Sequence, residues 1–129
     1  MTKNFGFYKG NFTDETAAAA SISGTRGLRV GGALGHVYAQ CVAGAGGFSI
    51  ASGKTVTLTG KECDTVDGTY AANGVTVVRT FAAATTFAEG EVIAEIHFAE
   101  YSKEYGKVDF ACNDSGVTGA IKIVPNAMG

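Results

Sequence analysis

The chain has 129 residues, the length of a single domain, and its 10 basic and 12 acidic residues give a formal net charge of −2. Neither sign forms a long block, so the charge offers no electrostatic basis for binding nucleic acid or anionic lipid. The polar start lacks the apolar segment of a secretory signal and no run approaches the roughly 20 apolar residues of a membrane span, so we expect a protein made in the cytosol whose partner is another protein.

Four aromatic residues precede the first convincing strand of the chain. They are Phe5, Phe7, Tyr8 and Phe12. Two interpretations stay open: a first strand or arm packed on its own domain, or an arm that reaches a neighbouring subunit, where aromatic anchors dominate interface energetics. Residues 13–20 predict a weak helix or an extended link, so we assign residues 1–23 to an N-terminal arm or linking segment.

The strands of the main domain begin at Leu28. A second strand is predicted over residues 36–42. The glycine cluster at residues 44–47 is predicted to close this strand as a loop, because neither the Lys-Ser/Thr pair nor the helix of a phosphate-binding loop follows it.

A hairpin is predicted around Ser52 and Gly53. The strand after that turn alternates Val56 and Leu58 with threonines, which predicts the valine and leucine inward and the threonines outward. Residues 60–73 are predicted to be the longest polar loop.

The next strand, residues 75–81, has Arg79 as its only charged residue. Charged residues on edge strands discourage pairing with other chains. With so few of them here, we expect this strand either to be covered by the chain's own arm or to pair across subunits.

Three runs in the last third of the chain, at residues 91–98, 107–112 and 120–124, repeat apolar residues at every second position. This alternation is typical of strands with one buried face, and the short turns between the runs predict a β-meander. In the first run it places Val92 and Ile96 on the buried face.

Together these elements predict an all-β protein, an antiparallel β-sandwich that is jelly-roll-like and carries an N-terminal arm. The sandwich domain is predicted over residues 24–125, and residues 126–129 form a frayed tail. The residues expected to be mostly buried are Val56, Leu58, Val77, Val92, Ile96, Phe98, Val108, Phe110, Ile121 and Ile123.

Nothing in the sequence assembles a catalytic set. His36 and His97 lie inside predicted strands with no nucleophile motif nearby, so we interpret both as strand-face residues. A glycosidase pair would have to come from Glu91, Glu95, Glu100 or Glu104, of which the first two lie on an outward face. Residues 64–68 lack the ligand spacing of a calcium loop. We predict no enzyme, no cofactor and no metal.

The three cysteines, Cys41, Cys63 and Cys112, are odd in number and far apart in the sequence. Their spacing fits neither a disulfide framework nor a zinc site. We therefore predict three reduced thiols.

The order of several segments resembles that of the small jelly-roll cement, or decoration, proteins that coat the capsids of tailed bacteriophages. The resemblance covers about residues 24–125 as a pattern of strands. The segments that carry it are 27–30, 37–42, the hairpin containing Phe48 with its threonine-rich strand, 90–94, 105–112 and 117–123.

The resemblance implies a non-enzymatic virion protein on the capsid exterior, assembled in the host cytoplasm. Such a protein self-associates as a dimer or trimer and stabilises the shell of the major capsid protein. The candidate contacts between subunits or with the capsid are Phe5, Phe7, Tyr8 and Phe12.

Two other classes remain open as alternatives. A carbohydrate-binding β-sandwich of a phage or bacterial protein would bind sugar with the tyrosines at positions 38, 70, 101 and 105, since the chain has no Trp. A cupin-like enzyme would need a His/Glu metal set on neighbouring strands, and two histidines are too few for the usual one.

Overall fold

The structure, a computed structural model, describes residues 11–29, 37–98 and 103–127. Within these ranges the chain forms ten strands and no helix. The strands are β1 (Thr13–Ala17), β2 (Ser21–Ile22), β3 (Leu28–Arg29), β4 (Val37–Ile50), β5 (Lys54–Cys63), β6 (Ala71–Phe81), β7 (Thr85–Phe87), β8 (Val92–His97), β9 (Tyr105–Cys112) and β10 (Thr118–Ala127).

The strands form two five-stranded antiparallel sheets that pack face to face. Sheet A has the order β1-β10-β4-β7, with β8 also paired to β4. Sheet B has the order β2-β9-β5-β6, with β3 also paired to β9. The predicted all-β antiparallel sandwich is confirmed.

The predicted meander is wrong, although all three of its runs are strands. β8 and β10 both lie in sheet A, where each pairs with β4, and β9 lies in sheet B beside β5. Alternation tells which face of a strand is buried, but it carries no information about the neighbouring strand. By crossing between sheets, these strands bury their apolar faces against one another.

The core lies between the sheets and is built from the inward positions of both. Phe110 of β9 and Phe48 of β4 meet edge to face with ring centroids 6.3 Å apart, and each is at most 1% exposed. Eight of the ten residues predicted to be buried are buried. They are Val56, Leu58, Ile96, Phe98, Val108, Phe110, Ile121 and Ile123.

The other two predicted core residues, Val77 and Val92, depart from the prediction. Val77 is half-buried, and Val92 is 41% exposed. The cause at Val92 is a shift of register between β8 and β4, which leaves Ile93 as an extra residue on β8. Such a bulge reverses the alternation, so Ile93 takes the buried position that the pattern assigned to Val92.

The glycine cluster is not a loop, contrary to the prediction. β4 runs through it as one strand of 14 residues. Gly46 and Gly47 have φ of 83° and 81°, a conformation that favours glycine, and a Cβ on Gly47 would collide with the carbonyl oxygen of Phe87. The predicted polar loop is likewise shorter than residues 60–73, because β5 continues to Cys63 and β6 begins at Ala71.

The described part of the segment assigned to an arm, residues 11–23, contributes a strand to each sheet. β1 pairs with β10 in sheet A, and β2 pairs with β9 in sheet B. Phe12 is fully buried and stacks on Phe98 with ring centroids 5.6 Å apart. Residues 13–17 are therefore extended, which was one of the two predicted conformations.

Candidate association surface

The four aromatic residues proposed as contacts separate into two groups. Phe12 lies in the core of its own chain, where a second chain cannot reach it. Phe5, Phe7 and Tyr8 lie outside the described residues.

The outer face of sheet A carries a small polar cluster around His97. The ring of His97 stacks on Tyr38 with centroids 4.7 Å apart, and its Nε2 lies 3.5 Å from Oε1 of Glu95. The side-chain amide of Gln40 donates to Oε2 of Glu95 over 3.2 Å. These exposed groups sit on the face of a strand, as predicted for His97, whereas His36 lies outside the described residues.

The predicted carboxylates have separate local surroundings. Oε1 of Glu91 accepts a hydrogen bond of 2.6 Å from the backbone N–H of Ala88, at the turn before β8. Glu95 belongs to the cluster around His97, and Glu100 lies outside the described residues. Glu91 is thus a turn-stabilising residue.

The tyrosines proposed to bind sugar do not form one surface. Tyr38 is on sheet A, whereas Tyr105 is on β9 of sheet B, near Tyr70. The hydroxyl of Tyr70 donates to the carbonyl of Val66 over 2.8 Å, and the ammonium of Lys107 lies 4.5 Å from its ring centroid. The fourth tyrosine, Tyr101, lies outside the described residues.

All three cysteines are free thiols, as predicted. Burial raises the pKa of Cys41 to about 12, so this thiol is unreactive at neutral pH. In the described ranges, no group of three or more His, Cys, Asp or Glu side chains could hold a metal ion. No helix of these ranges is long and apolar enough to cross a membrane.

The outer face of sheet B carries no charged residue at the outward positions of β5 and β6 between residues 55–59 and 76–80, although Asp109 of β9 lies opposite Thr59 on the same face. The register of β5 with β6 places Thr55 opposite Thr80, and Thr59 opposite Thr76. Between these pairs Thr57 faces Val78, which is 59% exposed. We call this set the threonine face: Thr55, Thr57, Thr59, Thr76, Val78 and Thr80.

β6 forms one edge of sheet B, because it pairs only with β5 among the described strands. Its only charged residue, Arg79, does not guard this edge. The guanidinium turns toward sheet A, where Nη1 donates to the carbonyl of Ile93 over 2.6 Å. It also lies 4.9 Å from the ring centroid of Phe81 and 5.4 Å from that of Phe87.

The hydrogen bonds of β5 show which way the backbone of β6 points. Next to β9, the N–H of Asn113 donates to the carbonyl of Thr55 over 3.3 Å. Because backbone groups of successive residues point to opposite sides of a strand, Val56 and Leu58 point theirs toward β6. Their partners on β6 are Arg79 and Val77, which point their own backbone groups back at β5.

The alternate residues of β6 therefore turn their backbone N–H and C=O groups to the free edge. These residues are Thr76, Val78 and Thr80. All three residues are exposed, and no described strand pairs with β6 on this side.

The opposite edge of the sandwich, β1, carries several charged groups. Asp14 forms a bidentate pair with Arg26, with Nη2 to Oδ2 at 2.6 Å and Nη1 to Oδ1 at 2.9 Å. The hydrogen bond from Arg26 lowers the pKa of Asp14 below its ordinary value of 3.8. Glu15 accepts from the backbone N–H of Ala45 over 3.0 Å.

Comparison with known proteins finds no family model that matches the chain and no matching curated relative. The candidate surface therefore stands on the geometry of β6. From the sequence, residues 75–81 were identifiable as a strand poor in charge. The direction of the Arg79 side chain was not, since it depends on packing against Phe87 and Ile93 of the other sheet.

Proposed function

We propose that this chain is a structural subunit that functions by association, as a capsid cement or decoration protein of a tailed bacteriophage. It self-associates and stabilises the shell formed by the major capsid protein. The observation that supports association is the edge at β6, which no described strand covers and whose one charged side chain turns toward the other sheet.

An open edge of this kind is unusual in a protein that acts alone. Folded proteins protect edge strands with charges, prolines, bulges or short length, because unpaired N–H and C=O groups are a template for another strand. β6 has 11 residues, contains no proline, and directs its one charge toward the other sheet. Its shift of register against β5 lies between Ala72 and Thr76, before the stretch from Thr76 to Thr80. A second chain at this edge would satisfy those backbone groups.

The capsid part of the proposal comes from the resemblance in the order of segments, together with the β-sandwich. In this proposal the connectivity is jelly-roll-like and the residues before Phe12 form an arm. Phe5, Phe7 and Tyr8 on that arm contact the capsid or a neighbouring subunit. The protein is not an enzyme, and it lies on the capsid exterior after assembly in the host cytoplasm.

Co-sedimentation tests the attachment to capsids. The probe is a set of shells assembled from the major capsid protein encoded in the same genome. We expect the full chain to sediment with the shells, and a variant with Phe5→Ala, Phe7→Ala and Tyr8→Ala to remain folded but bind at least about tenfold more weakly, because aromatic anchors dominate such contacts. Lys122→Ala, a substitution on the outer face of sheet A, is the control.

Failure of the unmodified chain to bind shells would overturn the capsid proposal. In that case a glycan array tests the alternative function, which is carbohydrate binding. Specific binding to a sugar would identify the chain as a carbohydrate-binding sandwich.

A further inference from the structure

We infer that two copies of this chain pair through their β6 strands, antiparallel, around a twofold axis at Val78. The inference rests on the proposed function only in taking the chain to be an associating subunit. It adds the strand, the register and the symmetry of the association.

The outward backbone groups of β6 determine the register. A twofold axis at Val78 places it opposite the partner's Val78, and places Thr76 opposite the partner's Thr80 and Thr80 opposite the partner's Thr76. All three positions direct their N–H and C=O groups to the edge, so each pair is of the type that exchanges two hydrogen bonds. The two sheets B then continue as one sheet.

The side chains at this edge are complementary to their own twofold copy. Val78, the most exposed of the large hydrophobic residues described, meets its own symmetry mate on the threonine face. Threonine lies opposite threonine on both sides of it, a favourable cross-strand pair.

The single charge of β6 is also accommodated in this register. Arg79 lies opposite the partner's Val77, so the two guanidinium groups do not face each other. Both Arg79 and Val77 belong to the alternate positions of β6, which turn their backbone groups toward β5. The new pairing therefore leaves the contacts of Arg79 with Ile93 and Phe81 in place.

A second copy fits this edge better than an unrelated strand for one reason. An isologous twofold contact requires a surface that is complementary to itself. The stretch from Thr76 to Thr80 meets that condition about Val78. Both of its ends are threonine, and Arg79 lies opposite the partner's Val77 and not opposite the partner's Arg79.

Cross-linking tests the register. The Cα atoms of a hydrogen-bonded antiparallel pair lie about 5.5 Å apart, within the roughly 4.4–6.8 Å that a disulfide spans. We expect Val78→Cys to give a covalent dimer on mild oxidation. Thr57→Cys is the matched control, because Thr57 lies directly opposite Val78 on the same face but one strand further from the axis. Its Cα would be roughly 14 Å from its own copy, three strand spacings away.

Sedimentation equilibrium tests the symmetry with the unmodified chain. We expect a monomer–dimer equilibrium, and we expect Val78→Lys to weaken it by about tenfold or more, because it puts two like charges directly opposite each other. Far-ultraviolet circular dichroism verifies that the variant keeps its fold.

Two results would overturn the inference. One is a trimer, or a monomer at all concentrations, in sedimentation equilibrium. The other is a yield of cross-linked dimer with Val78→Cys that is no higher than with Thr57→Cys. Shell binding with no such dimer would leave the proposed attachment to capsids in place. A β6 dimer that does not bind shells would support the inference and contradict the proposed function.

Discussion

The two edge strands β1 and β6 differ in how they are protected against pairing with another chain. β1 has five residues and carries Asp14 and Glu15 on the strand itself. β6 has 11 residues, and its one charged side chain donates to a carbonyl of the other sheet. The difference shows that a charge counted in the sequence of an edge strand protects it only if the folded side chain faces solvent there.

Both edge strands pack on the same core, and we expect substitutions in that core to cause the largest loss of stability. Phe110→Ala removes a side chain that is 1% exposed and packed on Phe48. We expect it to lower the free energy of unfolding by about 3–5 kcal/mol. Urea denaturation would measure this, and a loss below about 1 kcal/mol would contradict the assigned core.

Arg79 is the residue on which the comparison of the two edges depends, so its replacement tests whether its side chain packs against the other sheet. Arg79→Ala removes the donor to the carbonyl of Ile93 and the contacts with Phe81 and Phe87. Because the residue is itself exposed, we expect a loss of only about 1–2 kcal/mol in urea denaturation. Lys122→Ala is the control, with an expected change within about 0.5 kcal/mol. If the two variants were equally neutral, the guanidinium would face solvent and β6 would have its protecting charge.

Thr13 tests how tightly the β1 edge is packed. It is 1% exposed, and its hydroxyl has no hydrogen-bond partner among the described residues. Burial of an unpaired hydroxyl is unfavourable, so Thr13→Val, which keeps the shape, should raise the free energy of unfolding by about 1 kcal/mol. The half-buried Thr16 provides a control as Thr16→Val, with a change within about 0.5 kcal/mol. A marked loss of stability with Thr13→Val would mean that the hydroxyl is hydrogen-bonded.

The smallest effect concerns Asp14 and pH. The hydrogen bond from Arg26 lowers the pKa of Asp14 in the folded protein below its ordinary value of 3.8. The carboxylate therefore contributes stability above that value, and the contribution is lost as the pH falls through the folded-state pKa. We expect wild type to be slightly more stable than Asp14→Asn at neutral pH, with the difference shrinking below about pH 4. Thermal unfolding at a series of pH values measures it, and a difference independent of pH would contradict the ion pair.

The sequence predicted most of the strands and most of the core, because alternation reports which side chains share a buried face. It missed β1, β2 and β7, which are short and have no clear alternation of apolar residues. It did not predict which strands pair. The runs containing Ile96, Phe110 and Ile121 follow one another in the chain yet lie in different sheets or on opposite sides of β4. The exposure of Val92 was likewise unpredictable, since one bulged residue reverses an alternation without altering the composition.

The candidate surface was only half predictable for a similar reason. A strand poor in charge at residues 75–81 is evident in the sequence, and so is its lone arginine. Whether that arginine faces solvent depends on Ile93 and Phe87, which are distant in sequence. The outward direction of the backbone at Val78 depends on the pairing of β5 with β9, which the meander prediction had missed.

Amide hydrogen exchange at several protein concentrations tests the central claim most directly, because it reports on the backbone groups of β6 one by one. At high concentration we predict slow exchange for the amides of Thr76, Val78 and Thr80, and on dilution we predict fast exchange for these three alone. The amides of Val77 and Arg79, which point at β5, should stay protected throughout. Fast exchange of the three outward amides at every concentration, or protection that survives full dilution, would contradict the account of β6 as an edge that pairs with a second copy.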